Sequence, residues 1–122
     1  MIDLKIGDDI RLSSLRESFA APFTDLVSNN RPSDSSLDWP YSLNTKEEFS
    51  SYIAKCQQQE VIGTKLSFAI FLTNKIVGKI EYRNIDEELR SAEIAGWIID
   101  KPELNGVMTK CCIKLTEYAF NR

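Results

Sequence analysis

Runs of aliphatic and aromatic residues, separated by short polar breaks, occupy the middle of the chain. The first two runs, 66–72 and 76–82, are joined by three polar residues at 73–75. Two β-forming runs joined in this way predict an antiparallel hairpin. A charged segment then leads to a third run at 92–99. With a short strand at 10–12, the pattern predicts about four strands in a mainly antiparallel sheet.

Three other segments have the spacing of an amphipathic helix, with apolar residues three and four positions apart. The first starts near Ser18, and the second starts at Thr45, which together with Glu48 fits a capping box. The third follows Pro102 and Gly106. This order of elements predicts a mixed α/β fold of the α+β type. The positions expected to face the core are Phe19, Phe23, Leu26 and Val27, then Phe49, Tyr52, Ile53 and Cys56, then Met108, Cys111, Cys112, Leu115 and Ala119.

The composition fits one folded domain over residues 1–122. Hydrophobic residues make up 43% of the chain, close to the usual share of a globular domain. The formal net charge is −3, so no basic field is present to hold nucleic acid. No apolar run approaches the roughly 18 residues of a membrane span, and the N-terminus lacks the features of a secretory signal. We therefore expect a cytoplasmic protein without a nucleic-acid or membrane partner.

The chain contains no histidine. This excludes Ser-His-Asp and Cys-His nucleophilic sites and a histidine general base, and it removes the commonest metal ligand. The three cysteines, Cys56, Cys111 and Cys112, have no CxxC spacing and form no disulfide framework. We expect reduced thiols that act as small apolar core residues, and no metal site.

The segment from 92 to 120 carries the candidate chemistry. A predicted strand enters a short loop, and the loop opens a helix whose N-terminal amides could bind phosphate oxygens. Gly106 would let the backbone approach a ligand closely. The alternative is that Pro102 and Gly106 only punctuate a loop before a helix, and spacing alone favours this alternative.

The same segment resembles the GNAT acetyltransferases, and among them the branch that acetylates ribosomal proteins and protein N-termini. Members of that branch tend to read AEIGYWL, then QGKGIMT, an apolar helix and YAF. This chain reads AEIAGWI from Ala92, ELNGVMT from Glu103 and YAF from Tyr118. Upstream, the stretch from Asn30 to residue 39 resembles the branch's NR…WLxW motif, and IVGKI from Ile76 resembles its IVGxI strand. The resemblance covers nearly the whole chain.

The resemblance implies a GNAT-like sheet flanked by helices, with acetyl-CoA as cosubstrate and no metal. The acceptor would be an amine, such as a protein N-terminus. Family members attack the thioester directly with this amine, so the missing histidine is no obstacle. An amide on the strand edge could polarise the thioester carbonyl. The implied cofactor-binding residues are Trp97, Ile98 and Ile99 for the pantetheine, and Asn105, Gly106, Val107 and Met108 for the pyrophosphate.

The resemblance also implies a candidate catalytic residue, Glu93. In this branch the equivalent residue lies on the strand beside the acceptor site. A carboxylate there, acting through water, could take the proton of the attacking amine. The alternative is that Glu93 is a surface residue in a cross-strand charge pair with Lys79.

The chain departs from the family pattern at the phosphate loop. Glu103 stands where the branch has Gln or Arg, and a carboxylate about 4 Å from a phosphate charge is repulsive by about 1 kcal/mol in water. Leu104 and Asn105 replace a Gly-Lys pair, and Ala95 and Gly96 replace Gly-Tyr. These differences favour weak binding of CoA.

The sequence also ends after the third main helix, before the strand that completes the CoA slot in the family. On this basis we expect a truncated GNAT-like domain in which the strand of Trp97 is an open edge. Such an edge could pair with a second copy to give a homodimer, or the N-terminal segment could cover it. The alternative function is a non-catalytic GNAT remnant that acts as an interaction or dimerisation module.

Overall fold

An antiparallel sheet of five strands forms the centre of the computed structural model, which describes residues 2–29, 45–86, 88–99 and 101–120. The strands lie in the order β1-β2-β3-β4-β5, and each neighbouring pair is antiparallel. This arrangement confirms the predicted α+β class. The strands are β1 (Asp3–Ile6), β2 (Ile10–Ser14), β3 (Leu66–Leu72), β4 (Lys75–Asp86) and β5 (Ser91–Ile98), and the helices are α1 (Ala20–Asn29), α2 (Lys46–Ile62) and α3 (Val107–Phe120).

The strand at the N-terminus was not predicted. The segment Asp3–Ile6 alternates polar and apolar residues over only four positions, and it pairs with β2 through a turn at 7–9. Gly7 has a φ of 63° there, a conformation that glycine adopts without steric cost. The sheet therefore has one strand more than the sequence indicated. The NR…W motif at 30–39 lies outside the described residues.

The predicted hairpin between β3 and β4 is confirmed, with a tighter turn than expected. Only Thr73 and Asn74 form the turn, and Lys75 already belongs to β4. Both turn residues have positive φ, 47° and 67°, as a two-residue turn of type I′ requires. The N–H of Thr73 also donates to the carbonyl oxygen of Asp9 at 2.8 Å, which ties the two hairpin turns together.

Helix α2 has the predicted capping box at its start. The hydroxyl of Thr45 accepts from the N–H of Glu48, and the Glu48 carboxylate accepts from the N–H of Thr45, each at 3.1 Å. At the other end Gly63 has a φ of 89° and donates its N–H to the carbonyl oxygen of Gln59. Both ends of the helix are therefore satisfied by local sequence.

The helices cover the two faces of the sheet. Helices α1 and α2 pack on the face of Phe71 and Lys79. On this face Phe19, which lies just before α1, contacts Phe71, and their ring centroids are 5.3 Å apart. Helix α3 packs on the opposite face, with Met108 over Gly96. Of the predicted helix positions, Ala119 is exposed, which is a correction, since it is Tyr118 that packs against the core at the end of α3. The largest fully buried side chains include Leu12, Phe23, Phe49, Ile53, Phe68, Ile70, Ile80 and Leu115.

Two of the cysteines belong to the core, as predicted. Cys56 and Cys111 are buried, and Cys112 is half-buried. Burial raises the pKa of the Cys111 thiol to about 12, so this side chain is a neutral apolar group near neutral pH. Among the residues that the structure describes, no helix is both long and apolar enough to cross a bilayer.

Gly78 is required by the close approach of β4 and β5. A Cβ at this position would lie 2.2 Å from the carbonyl oxygen of Trp97 and 2.8 Å from the Cα of Ile98. Both neighbours are backbone atoms, which cannot move without displacing β5. We therefore expect Gly78→Ala to lower the free energy of unfolding by about 1–3 kcal/mol in a denaturant titration.

A matched control is Gly96→Ala on the adjacent strand. The nearest atom to a Cβ at Gly96 is the Cε of Met108 at 2.9 Å, the end of a flexible side chain, followed by the carbonyl oxygen of Lys79 at 3.0 Å. The control should destabilise less than Gly78→Ala, because Met108 can move away. Equal effects of the two substitutions would contradict the steric argument for Gly78.

Candidate functional site

β5 is an edge strand of the described part of the sheet, where it pairs with β4 alone. The N–H of Ile99 donates to the carbonyl oxygen of Val77 at 3.0 Å. Alternate residues of an antiparallel strand turn their N–H and C=O groups toward the partner strand. Trp97 therefore also turns toward β4, whereas Gly96 and Ile98 turn their backbone groups toward the open edge.

The three residues predicted to hold pantetheine thus differ in what they offer. Ile98 presents its backbone to the open edge, but the N–H of Ile99 is already taken by β4. The side chain of Trp97 is only 5% exposed and lies on the face covered by α1 and α2. Gly96, which sequence reasoning did not single out, joins Ile98 at the edge. The strict alternation of a strand is the signal that could have found it.

The loop after β5 leads into the N-terminus of α3. A short 3-10 turn, Pro102–Leu104, is anchored by the buried side chain of Leu104. Gly106 follows with a φ of 85°, and a Cβ there would meet nothing within 4 Å, so the loop surface is open at this point. The N–H of Lys110 makes the first helical hydrogen bond, to the carbonyl oxygen of Gly106 at 3.1 Å.

The predicted phosphate-binding amides also divide into two groups. The N–H of Asn105 donates to the carbonyl oxygen of Pro102 at 3.2 Å, so it is engaged within the turn. Gly106, Val107 and Met108 supply the first amides of α3, which have no partner inside the helix and carry the positive end of its dipole. Three of the four predicted positions therefore offer the chemistry that binds an anion.

The open edge of β5 and the start of α3 meet at one place. The Sδ and Cε atoms of Met108 lie 3.2 Å and 2.9 Å from a Cβ built on Gly96, so the first turn of α3 rests on β5. The exposed Glu103 departs from the family pattern in charge, because it adds a carboxylate to the loop that precedes this helix, and Asn105 stands where the family has a lysine. The arrangement is a strand edge with outward-facing backbone groups that ends at a helix N-terminus, which has the chemistry to bind an anion.

Glu93, the predicted catalytic residue, lies on β5 on the same face as Trp97. It stands opposite Arg83 of β4, whose Nε lies 3.2 Å from the Glu93 carboxylate. The Glu93 side chain is 59% exposed, so water reaches it. The alternative prediction of a pair between Glu93 and Lys79 is wrong. Lys79 stands opposite Trp97, four residues before Arg83 on β4, and pairs with Glu81 instead.

A buried charge cluster, which sequence reasoning missed, lies under α2. Its members are Tyr52, Lys65, Lys79 and Glu81. Lys79 is 3% exposed and forms an ion pair with the Glu81 carboxylate, whose other oxygen lies 3.3 Å from Lys65. The ring of Tyr52 covers both ammonium groups, with its centroid 5.0 Å from Lys79 Nζ and 5.6 Å from Lys65 Nζ. The sequence signal for this cluster was the presence of two charged residues, Lys79 and Glu81, two positions apart in an otherwise apolar run.

The ion pairs set the ionisation state of the buried charge cluster. Burial alone would raise the pKa of Glu81, but the ammonium groups of Lys79 and Lys65 outweigh it and hold the pKa below its usual value of 4.5. Burial also raises the pKa of the Tyr52 phenol, so this side chain stays neutral. Glu81 is therefore ionised at neutral pH.

Comparison with known proteins gives one matching family. A family model described as an acetyltransferase (GNAT) domain matches residues 9–122. Among curated proteins, the ribosomal-protein-serine acetyltransferase of Escherichia coli (strain K12) is 21% identical over 108 residues, which cover 88% of this chain and 60% of the relative. YdaF of Bacillus subtilis (strain 168) is 26% identical over 124 residues, covering 98% of this chain and 67% of the relative.

Solved structures agree in fold. RimL, a ribosomal L7/L12 alpha-N-protein acetyltransferase in complex with coenzyme A, superposes with a TM-score of 0.86 at 21% identity, covering 96% of this chain and 67% of that one. MccE, a microcin C7 self-immunity acetyltransferase in complex with acetyl-CoA and AMP, superposes with a TM-score of 0.80 at 20% identity. That match covers 94% of this chain and 64% of the other. The five strands and three helices described above therefore form a GNAT-like fold.

The lowered pKa of Glu81 predicts how stability depends on pH. A carboxyl whose pKa is lower in the folded than in the unfolded protein stabilises the fold above the unfolded value, and this stabilisation is lost as the pH falls through the folded value. We expect the thermal midpoint to fall as the pH drops below about 4.5, and to fall less steeply in Glu81→Gln. Glu117→Gln, which removes an exposed carboxylate of α3, should keep the slope of the unaltered protein. If the thermal midpoint fell equally steeply with pH in all three proteins, the lowered pKa of Glu81 would be contradicted.

Proposed function

The chain belongs to the GNAT acetyltransferase family, and on that premise we propose that it transfers the acetyl group of acetyl-CoA to a primary amine. The observation that carries the proposal is the meeting of an open strand edge with an anion-binding helix terminus at Gly96 and Met108. Coenzyme A has one group for each, since its pantetheine contains amides and its pyrophosphate is anionic. Neither interaction requires a metal ion.

The pantetheine amides would pair with the edge of β5. Gly96 and Ile98 offer N–H and C=O groups there, spaced as in a strand that awaits a partner. An N–H of this edge would also polarise the thioester carbonyl and stabilise the negative charge that develops on its oxygen. Ile99 would contribute to this part of the site through its buried side chain. Its N–H would not pair with the pantetheine, because it is engaged with β4.

The pyrophosphate would lie at the start of α3. Amides of Gly106, Val107 and Met108 would donate to its oxygens, and the positive φ of Gly106 leaves the loop open to a close approach. Asn105 would contribute its side chain, because its N–H is held in the preceding turn. Glu103 opposes this interaction through its charge, which supports the prediction that CoA binds weakly.

The acceptor would be an amine such as the N-terminus of a protein. Its nitrogen attacks the thioester carbon, the C–N bond forms, and the C–S bond breaks to release CoA. The amine loses one proton, which Glu93 would take through a water molecule, and the CoA thiolate is protonated on release. Arg83 would hold the Glu93 carboxylate at the surface of β5, where water has access.

The acceptor, the location and the oligomeric state of the protein were also predicted from the sequence. The acceptor class rests on the similarity to an acetyltransferase that is named for a ribosomal-protein serine. A cytoplasmic location stays a prediction. A homodimer formed through β5 also stays a prediction, and it fits the alternative of a non-catalytic interaction module, because a second copy paired with this edge would take the place of the pantetheine. The chain spans 60% of the length of that relative. The activity and the partners of the whole protein are therefore proposals as well.

Transfer assays on the unaltered protein and Glu93→Gln test the proposed function. Acetylation of an N-terminal peptide amine should depend on acetyl-CoA, and Glu93→Gln should lower kcat by about 10²-fold with little change in the KM of acetyl-CoA. Glu117→Gln, an exposed substitution on α3, should leave kcat unchanged. An unaltered kcat in Glu93→Gln would remove Glu93 as the base. The function itself would be contradicted if the unaltered protein neither bound acetyl-CoA nor transferred its acetyl group.

A further inference from the structure

The central strands of the sheet are buried on both faces. Every residue of 66–71 in β3 and 76–81 in β4 is buried. In most antiparallel sheets one face is wet, and the alternation of polar and apolar residues then fixes which face is inward. In these stretches neither face is wet, and the only charged residues within 76–81 that mark one face of β4 are Lys79 and Glu81. A shift of one residue in the pairing would exchange the two faces of β4 without exposing any apolar side chain to water.

Besides Gly78, which the close approach of β5 requires, the buried charge cluster is the feature that distinguishes the two faces of β4. Lys79 and Glu81 point to the face of α2, where Tyr52 covers them and Lys65 reaches Glu81. A shift of one residue would turn both charges to the face of α3, among apolar side chains such as Phe68 and Ile70. Lys79 and Glu81 would remain beside each other, but Glu81 would lose its contact with Lys65, and Lys79 would lose the ring of Tyr52. Burying a charged pair among apolar side chains without these contacts is expensive, so the observed register is favoured.

The strands beside the cluster leave room for it. Across β3, Glu81 stands opposite Ser67 and Lys79 opposite Ala69, and across β5, Glu81 stands opposite Ala95. These three small side chains give two long charged ones space beneath α2. A well-packed apolar pair of similar volume would stabilise the fold equally or better. Net stability therefore does not account for charged residues at this position.

The register of β4 decides where the candidate site residues point. Within the described residues β5 pairs with β4 alone, so the position of β5 is set by this strand. Lys79 stands opposite Trp97, Glu81 opposite Ala95, and the exposed Arg83 opposite Glu93. In the observed register Trp97 is buried on the face that α1 and α2 cover, and Gly96 lies under Met108 with its backbone at the open edge.

We propose that the buried charge cluster is a register lock for β4, and that Glu81 is a positioning residue for the acetyl transfer proposed above. Glu81 does not touch a substrate in this assignment. It holds Lys79 and Lys65 on one face of the sheet, and it thereby keeps Glu93 and Trp97 on that face and the backbone of Gly96 and Ile98 at the edge. The positioning role rests on the proposed function, whereas the register lock itself does not.

The test is a double variant that keeps the volume of the pair and removes its charge, Lys79→Met with Glu81→Met. Lys65, whose side chain is 20% exposed, can then turn to solvent. We expect a thermal midpoint within about 5 °C of the unaltered protein, or above it. We also expect more than one set of NMR signals for the Trp97 indole and the β5 amides, and at least tenfold weaker binding of CoA. The chain has two tryptophans, so Trp39→Phe assigns the Trp97 signal.

Two controls separate the register from a general loss of charge. Lys79→Arg keeps the ion pair and should give one set of signals and CoA binding within about threefold of the unaltered protein. Asp3 lies on β1, four strands away from β5, and Asp3→Asn removes its ion pair with Arg16. This variant should also give one set of signals and nearly unchanged CoA binding. A second set of β5 signals in either control would show that the readout is not specific to the cluster, and would overturn the proposal.

Each result for the double variant is decisive. A folded protein with one set of signals, the native β4–β5 pairing and unchanged CoA binding would overturn the proposal. A double variant that fails to fold would show that the cluster supplies stability rather than register, and would also overturn it. If the unaltered protein does not bind CoA, the proposed function fails. The NMR signals of the double variant still decide whether the register lock exists.

Discussion

The structure depends on β4, a strand that is paired on both edges and packed on both faces. It forms hydrogen bonds with β3 and β5, while α1 and α2 cover one of its faces and α3 covers the other. Three consecutive positions satisfy these demands. Gly78 lets the backbone of β5 approach, Lys79 is buried with Glu81 under α2, and Ile80 fills the core toward α3. Because β4 is constrained on all sides, the position of β5 beside it is fixed. A site built on the outer edge of β5 requires such a fixed strand.

The site that results consists mostly of backbone. The open edge of β5 and the first amides of α3 are oriented by the sheet and the helix, so they need no side-chain reorganisation to receive a ligand. Such a site tolerates change in the residues around it, and this chain differs from its family's pattern at Ala95, Gly96 and Glu103. In the proposed mechanism side-chain chemistry enters only at Glu93, and its exposed pair with Arg83 leaves it accessible to water. The missing histidine is consistent with such a site.

Local signals made much of the fold predictable from sequence. The capping box at Thr45, the break at 73–75 and the period of α3 each act within a few residues, and each predicted its element correctly. What sequence reasoning missed depends on pairing between distant segments. The strand β1 is too short to stand out before β2 is placed beside it. The partner of Lys79 could not be assigned without the register of β4, and the engaged amides of Asn105 and Ile99 follow from a turn and a ladder that exist only in the folded chain.

The central claim is that CoA would lie along β5 and end at the start of α3, and a CoA titration followed by amide NMR tests it most directly. The account predicts that the largest shifts occur at Gly96 and Ile98 of the strand edge and at Gly106, Val107 and Met108 of the helix terminus. Both groups should respond with one dissociation constant, because a single ligand spans them. Shifts confined to a remote surface, such as the exposed Val61 and Ile62 of α2, or no shifts at all up to millimolar CoA, would contradict the account.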